Sequence, residues 1–443
     1  MTFDPPKNIN YAATVVRVPA TLSLDGLDNL VGVPVLGHRA LTQKVGVAVG
    51  DLKVAFTAET QLSHEYASAG NLYRESELNS DSTEKGYLEK NRRIRAIKMR
   101  GHRSDALLMP LDSLSFTGFD ISTLKEGDTF DTLNGVEVCR KYEVPVKGSH
   151  GPKAAKLDKA FKRVDKKLFP EHLDTDAFWR SKHLLKPGRE VVVTQKLHGT
   201  SIRVGRVPCL RQKGWFERLL NRWFPTTDYT YDAVFGSRKV IKDVNNPNQN
   251  HYYDTDIWTE FGRRIEDRIP EGFIVYGELI GWTPDNAAIQ KNYTYNLGAG
   301  QAELYVYRVA TINAQGTLAD LSWDGVKEFC LERGLKWAPE MGRFTFGIGD
   351  EGSFVTIDDF AEWLDENLMD KRYADLFDEN GIADQSSVVE RPVPLSTPKT
   401  VDEGVCLRQE GVVPTILKAK SPVFLQHETK LLDNDEADLE SAA

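Results

Sequence analysis

Residues Val191–Arg206 read VVVTQKLHGTSIRVGR. A β-branched run leads into Lys196, His198–Gly199 turns the chain, and a second run leaves. The pattern predicts two strands with a lysine where the first one ends. An amine at the end of an apolar strand is partly desolvated, which lowers its pKa towards neutrality and frees it as a nucleophile. Gly199 has no Cβ, so the backbone there can come close to a phosphate. Taken alone, the stretch is more often a surface lysine in a β-hairpin, and the rest of the chain has to decide.

The chain has 443 residues, enough for two or three domains. Hydrophobic residues make up 40% and charged residues 27%, which excludes disordered and collagen-like classes. No apolar run approaches the length of a membrane span, so no membrane association is expected. The start, MTFDPPKNIN, lacks a basic region followed by an apolar stretch, so no secretory signal is expected. Cys139, Cys209, Cys330 and Cys406 lie far apart, which points to a reducing, cytoplasmic compartment rather than a disulfide framework or zinc ribbon. A net charge of −9 excludes a globally basic nucleic-acid binder but leaves room for local basic patches. Neither GxGxxG nor GxxxxGK[ST] occurs, so no Rossmann or P-loop site is indicated.

The fold class expected is α+β. Residues 1–145 are β-rich, with strands predicted at Ala12–Val18, Lys44–Ala48, Leu52–Ala58, Arg92–Met99, Ala106–Pro110 and Val136–Val144. An OB-like β-barrel that binds nucleic acid is the most economical fold for them. Residues 146–180 read as a basic linker, Gly/Pro/Ser-rich at first and then a short basic helix. Residues 181–430 mix strands with helices expected at Thr255–Arg268, Trp323–Arg333 and Ile357–Phe377. An acidic tail closes the chain at 431–443. Two basic runs, 90–103 and 153–167, are candidate nucleic-acid contacts or solvated faces.

KLHG at 196–199 resembles motif I, KxDG in its common form, of the covalent nucleotidyltransferases: ATP-dependent DNA ligases, RNA ligases and mRNA capping enzymes. Further stretches resemble that superfamily's other motifs, in its order. They are FGSRKVIKD (235–243, motif Ia), FIVYGELIGW (273–282, III), LYVYRV (304–309, IIIa), EGVCLR (403–408, IV) and LKAKS (417–421, V). Glu278 follows Lys196 by 82 residues, Glu403 follows Glu278 by 125, and Lys418 follows Glu403 by 15. Two positions depart from the commonest pattern: His198 stands for Asp, and Arg308 follows the aromatic where many relatives have Asp.

The resemblance implies ATP-grasp-like antiparallel sheets with flanking helices, and a set of roles. Lys196 would form a lysyl–AMP phosphoramidate, with His198 in the catalytic set beside it. Lys418 and Lys420, two apart on one strand face, would hold the α-phosphate. Glu278 and Glu403 would serve the ribose and a Mg²⁺ or Mn²⁺ ion, for which carboxylate and water ligands are suited. Tyr307 would stack on the purine and Gln195 would read its edge. Gly199, Arg238 and Lys242 complete the nucleotide-binding set. Only 22 residues follow motif V, whereas capping enzymes and ATP-dependent DNA ligases place an OB domain there. An OB-like domain ahead of motif I resembles the fifth RNA ligase family instead. The function implied is an ATP-dependent RNA ligase joining 3′-OH and 5′-phosphate ends through lysyl–AMP and AppN intermediates. Its partner would be a nicked duplex containing RNA, or free RNA ends, and it would act as a monomer in RNA repair. An ATP-dependent DNA ligase and a GTP-using capping guanylyltransferase are the alternatives.

One stretch has no counterpart among these motifs. In KGWFERLLNRWF (213–224), Trp215, Phe216, Leu219, Leu220, Trp223 and Phe224 recur at helical spacing. Their expected place is an amphipathic helix packed on the domain; the other reading is a surface that grips substrate or a partner.

Overall fold

The computed structural model describes residues 4–143, 163–211, 213–221, 223–224, 228–242, 255–349, 352–376 and 390–433. They fall into two compact units. One gathers residues 4–143, 176–183 and 419–433, the other the described parts of 163–175 and 184–418. The fold is mixed α+β with several sheets. Among the described residues no helix is long and apolar enough to cross a membrane.

The first unit is built on seven strands: β1 (Ala13–Arg17), β2 (Leu22–Ser23), β3 (Leu30–Val35), β4 (His38–Gln43), β5 (Leu52–Thr57), β6 (Ala106–Pro110) and β7 (Thr129–Phe130). Their order is β7-β1-β5-β6-β4-β3-β2, with β4 and β6 parallel. Among the described residues no pairing joins the two ends, so the sheet is not a closed barrel. Val15, Val54 and Phe56 are buried with Tyr66, Leu114 and Phe130 on one face, and Val16, Val33 and Ala55 form a second cluster.

β3 and β4 occupy residues where the sequence suggested no strand. Pro34 and Gly32 argue against a strand interior, and the turn that pairs them is unusual. Leu36 and Gly37 both take left-handed φ angles (53° and 79°), as a two-residue hairpin turn requires, yet Leu is a poor signal for it. The expected strand Lys44–Ala48 is instead turn and loop. Of Arg92–Met99 only Ile97–Met99 is a strand.

The basic run 90–103 is taken up inside this unit only in part, and Lys90, Lys98 and Arg100 stay exposed. Arg93 is 2% exposed and bonds Glu59, Asp433 and the carbonyl of Thr429. Arg95 also meets Asp433, and Arg103 meets Asp105. Asp433 ends the helix Pro422–Asp433, so the expected acidic tail does not begin at 431; residues 434–443 lie outside the described set. Part of the expected linker and basic helix, 144–162, lies outside it too. The rest of the linker is packed, with Phe169 and Phe178 fully buried.

The second unit holds two largely antiparallel sheets. The first contains β8 (Val191–Lys196), β14 (Glu340–Phe344), β15 (Gly404–Gln409) and β16 (Thr415–Lys420), in the order β16-β15-β8-β14. The second contains β9 (Thr200–Leu210), β10 (Tyr229–Gly236), β11 (Phe273–Gly281), β12 (Ala302–Ile312) and β13 (Leu318–Asp320), in the order β10-β9-β11-β12-β13. β8 lies between two partners and is buried along Val191–Gln195, which explains its unbroken apolar run. Three residues, Leu197–Gly199, carry the chain from the first sheet to the second.

The helix Trp323–Arg333 forms as expected, capped by Ser322 and ended by Gly334 at φ 61°. The helix expected over Ile357–Phe377 stops at Leu368, because Met369 leaves the helix and Asp370 turns left-handed. The expected packing of 213–224 is not found. Only Trp215–Leu220 is helical, and Trp215, Trp223 and Phe224 are more than 70% exposed.

Candidate active site

The turn after β8 is held almost entirely by polar contacts. Lys196 pairs with Gly404 across β8 and β15, which sets its side chain beside Glu403. The Lys196 ammonium lies 2.6 Å from Oε1 of Glu403, whose side chain is fully buried. His198 is 3% exposed, with Nδ1 3.5 Å from the other Glu403 oxygen. Its ring stands edge-on to Tyr293, and its backbone N–H donates to the Tyr295 hydroxyl. A carboxylate so placed touches both unusual groups of the motif.

Glu278 approaches from β11. Its Oε1 accepts from the Gly199 backbone N–H at 3.0 Å and its Oε2 from the Ser201 hydroxyl at 3.3 Å. Gly199 is needed here for a different reason than phosphate approach: a Cβ on it would stand 2.3 Å from the Leu279 carbonyl oxygen. The Gly199 carbonyl in turn accepts from Gln290. The two sheets therefore meet at a turn that tolerates no side chain.

A cavity opens beside this turn. Lys196, Arg238, Glu278, Tyr307, Arg308 and Lys418 line it, together with His172, Tyr305, Trp323 and Cys406. The lining combines cations with aromatic rings, a combination suited to the phosphates and base of a nucleotide.

Arg238 is held by Asp174 at 2.8 Å, and that carboxyl sits below its usual range against Arg238 despite its partial burial. The Tyr307 hydroxyl is 2.5 Å from Nδ1 of His172. Burial, reinforced by Arg203, Arg238 and Arg308, pulls the His172 pKa well below the ordinary value, so the ring is neutral at pH 7. Burial likewise raises Tyr307. His172 carried no motif signal. It was missed because it reaches the cavity on the segment assigned to the linker. Arg308, the departure from the common pattern, is bound to Asp320 through Nε and Nη2 and lies over the Tyr276 ring.

Three expected residues do other things. The Gln195 amide is engaged by both backbone groups of Val393 and by Asp402, which leaves it committed to structure rather than to a purine edge. Burial pushes Asp402 up to about 6. Lys242 is not among the cavity's lining residues. Its ammonium lies 4.0 Å from the Trp258 ring centroid, and desolvation lowers its pKa. Lys420, at the end of β16, donates to Glu428 at 2.9 Å and lies over Phe424.

For a metal ion, the donors offered are the carboxylates of Glu278 and Glu403. Among the described residues no group of three or more His, Cys, Asp or Glu is placed to enclose one. Two carboxylates fit a hard cation that keeps water and takes phosphate oxygens, as Mg²⁺ and Mn²⁺ do.

Residues 189–420 match the family model described as RNA ligase. No curated protein matches the chain in sequence. Among solved structures, a Naegleria gruberi RNA ligase mutant with AMP and Mn aligns with a TM-score of 0.55 at 14% identity, covering 94% of this chain and 98% of that one. Another mutant of that ligase, with ATP and Mn, aligns with a TM-score of 0.54 at 14% identity and the same coverage. The ligase with pyrophosphate gives the same values. At this identity the likeness is one of fold.

Proposed function

This chain belongs to the RNA ligase family, and we propose on that premise that it is an ATP-dependent RNA ligase working through a lysyl–AMP intermediate. The observation that carries this reading is the 2.6 Å contact between Lys196 and the buried Glu403, at the edge of a cavity lined by Lys418, Arg238 and Tyr307. Structures of mutants of the similar Naegleria gruberi RNA ligase with ATP or AMP and Mn support ATP as the nucleotide and a divalent cation as its companion.

Lys196 must lose a proton before it can attack, and Glu403 is within reach to accept it. The freed amine attacks the α-phosphorus of ATP. A P–N bond forms, the bond to pyrophosphate breaks, and AMP stays on Lys196. Lys418 and Arg238 stabilise the charge that develops on the phosphate, while Tyr307 lies against the base. A 5′-phosphate oxygen of the RNA then attacks the same phosphorus, which breaks the P–N bond and returns the lysine. Finally a 3′-OH attacks the AppN end and AMP leaves. A divalent cation held by Glu278, and by Glu403 once that proton has left it, would neutralise phosphate charge during transfer. Glu278 fixes the turn that aims the lysine.

The first unit serves in this reading as an OB-like module that grips RNA. Its non-sequential strand order with one parallel pair suits a partly open Greek-key barrel. The repair of nicked RNA by a monomer in the cytoplasm follows as the working role. Sealing of a 5′-phosphate nick tests it, with 3′-OH strands ending in ribose or in deoxyribose. Joining from ATP only with a ribose end supports the reading. Joining indifferent to the sugar turns it to DNA, and labelling from GTP alone turns it to capping.

A further inference from the structure

The segment between β9 and β10 exposes what a folded domain usually hides. Relative exposure is 79% for Trp215, 57% for Phe216, 78% for Trp223 and 72% for Phe224, with Leu219 and Leu220 also exposed. Such a cluster marks a binding surface. Its root is firm. Val207 and Cys209 on β9 are fully buried among Phe169, Val234 and Ile274, and Lys213 meets Asp228 at 2.5 Å. The helix Trp215–Leu220 thus sits at the end of a packed two-stranded arm.

We propose that this arm is a docking surface for a single-stranded stretch of the RNA being sealed, at a distance from the joint itself, an inference that rests on the RNA ligase reading. Three observations favour RNA. Four of the six exposed side chains are aromatic, and bases of any sequence stack on such faces. Residues 211–228 carry four basic residues against two acids on a chain of net charge −9, so the arm's surplus is opposite in sign to the chain's net charge and to phosphate. The arm is also continuous with the catalytic turn: β9 begins at Thr200, four residues after Lys196. At ~3.3 Å per residue it ends roughly 30 Å away, within reach of a polynucleotide and beyond a mononucleotide. A six-residue helix presents little area for anchoring in a bilayer.

The test replaces Trp215, Phe216, Trp223 and Phe224 together by Leu in the full chain. Apolar character is kept while the ring faces are lost. Two quantities are read: self-adenylylation from ATP, and affinity for a fluorescein-labelled single-stranded RNA. The expected result is unchanged self-adenylylation, which also shows that the variant is folded, with RNA affinity down by about tenfold or more. Replacing Trp215 and Trp223 by Tyr should keep most of the affinity. RNA affinity unchanged in the Leu variant overturns the proposal. So does arm-dependent binding to phosphatidylserine vesicles when RNA binding does not change. Absence of self-adenylylation in the unmodified protein, with RNA affinity still dependent on the rings, sinks the ligase reading and leaves the arm's assignment standing.

Discussion

The strand Thr200–Leu210 has opposite ends. At one end the turn after Lys196 buries its polar groups: Glu403 and Thr200 are fully enclosed and His198 nearly so. At the other end the arm exposes its apolar ones, with Trp215 and Trp223 almost as accessible as in an unfolded chain. Burial of charge costs free energy unless partners are present, and exposure of large apolar surface forgoes hydrophobic stabilisation. Each end therefore departs from what stability alone would favour, in opposite directions. A partly buried, ion-paired lysine suits chemistry on a small ligand. Exposed rings are arranged for contact with something large.

Substitutions at the two ends should separate along the same line. The largest effect is expected at Glu403→Gln, which removes the group facing Lys196: self-adenylylation should fall on the order of 10²–10⁴-fold, as read by labelled AMP on the protein. A rate within a few-fold of the parent would detach Glu403 from the chemistry. Next comes Gly199→Ala. Its Cβ would collide with the Leu279 carbonyl, and the overpacking should lower stability by about 1–3 kcal/mol and misplace the turn. Thermal unfolding measures the first effect and adenylylation the second; an unchanged melting temperature would mean the sheets can part without cost.

His172→Phe should be milder. Without its contact to His172, Tyr307 loses its anchor, and the KM for ATP should rise by about 5–10-fold with a smaller change in kcat. The pH response gives a second check. His172 stays neutral in the fold while the unfolded chain binds a proton near pH ~6.5. Its contribution is therefore present above that pH and is lost as pH falls below it, by at most about 1.4 kcal/mol per pH unit. The drop in melting temperature between neutral and mildly acid buffer should be smaller in His172→Phe; an equal drop would place the sensitivity elsewhere. Smallest of all, Lys242→Met should leave adenylylation unchanged and cost about 0.5–2 kcal/mol through the lost contact with Trp258. A large loss of nucleotide labelling would return Lys242 to the site.

What could be read from the sequence follows from how each residue is constrained. Lys196, Glu278, Tyr307 and Lys418 stand in motifs whose spacing reflects strand geometry, and the fold brings all four to one cavity. Gln195 and Lys242 stand in motif positions too, yet the amide is claimed by Val393 and Asp402 and the ammonium by Trp258. Those partners lie far along the chain or on another element, so no local pattern announces them. Lys418 and Lys420 look equivalent two residues apart, but Glu428 on the following helix engages the second. The hairpin at Leu36–Gly37 was hidden because a leucine occupies a left-handed position that Gly or Asn usually marks. The arm's helical spacing was legible, whereas its exposure depends on what packs against it, and periodicity carries no information on that.

The chemistry at Lys196 can be tested directly by label transfer. The protein would be incubated with a divalent cation and each of the four α-labelled nucleoside triphosphates, with Lys196→Ala alongside, and separated on a denaturing gel. Label from ATP alone, absent in Lys196→Ala, is the predicted result. Label that persists in Lys196→Ala would contradict the assignment of the nucleophile, and so would no label from any nucleotide in protein shown to be free of bound AMP.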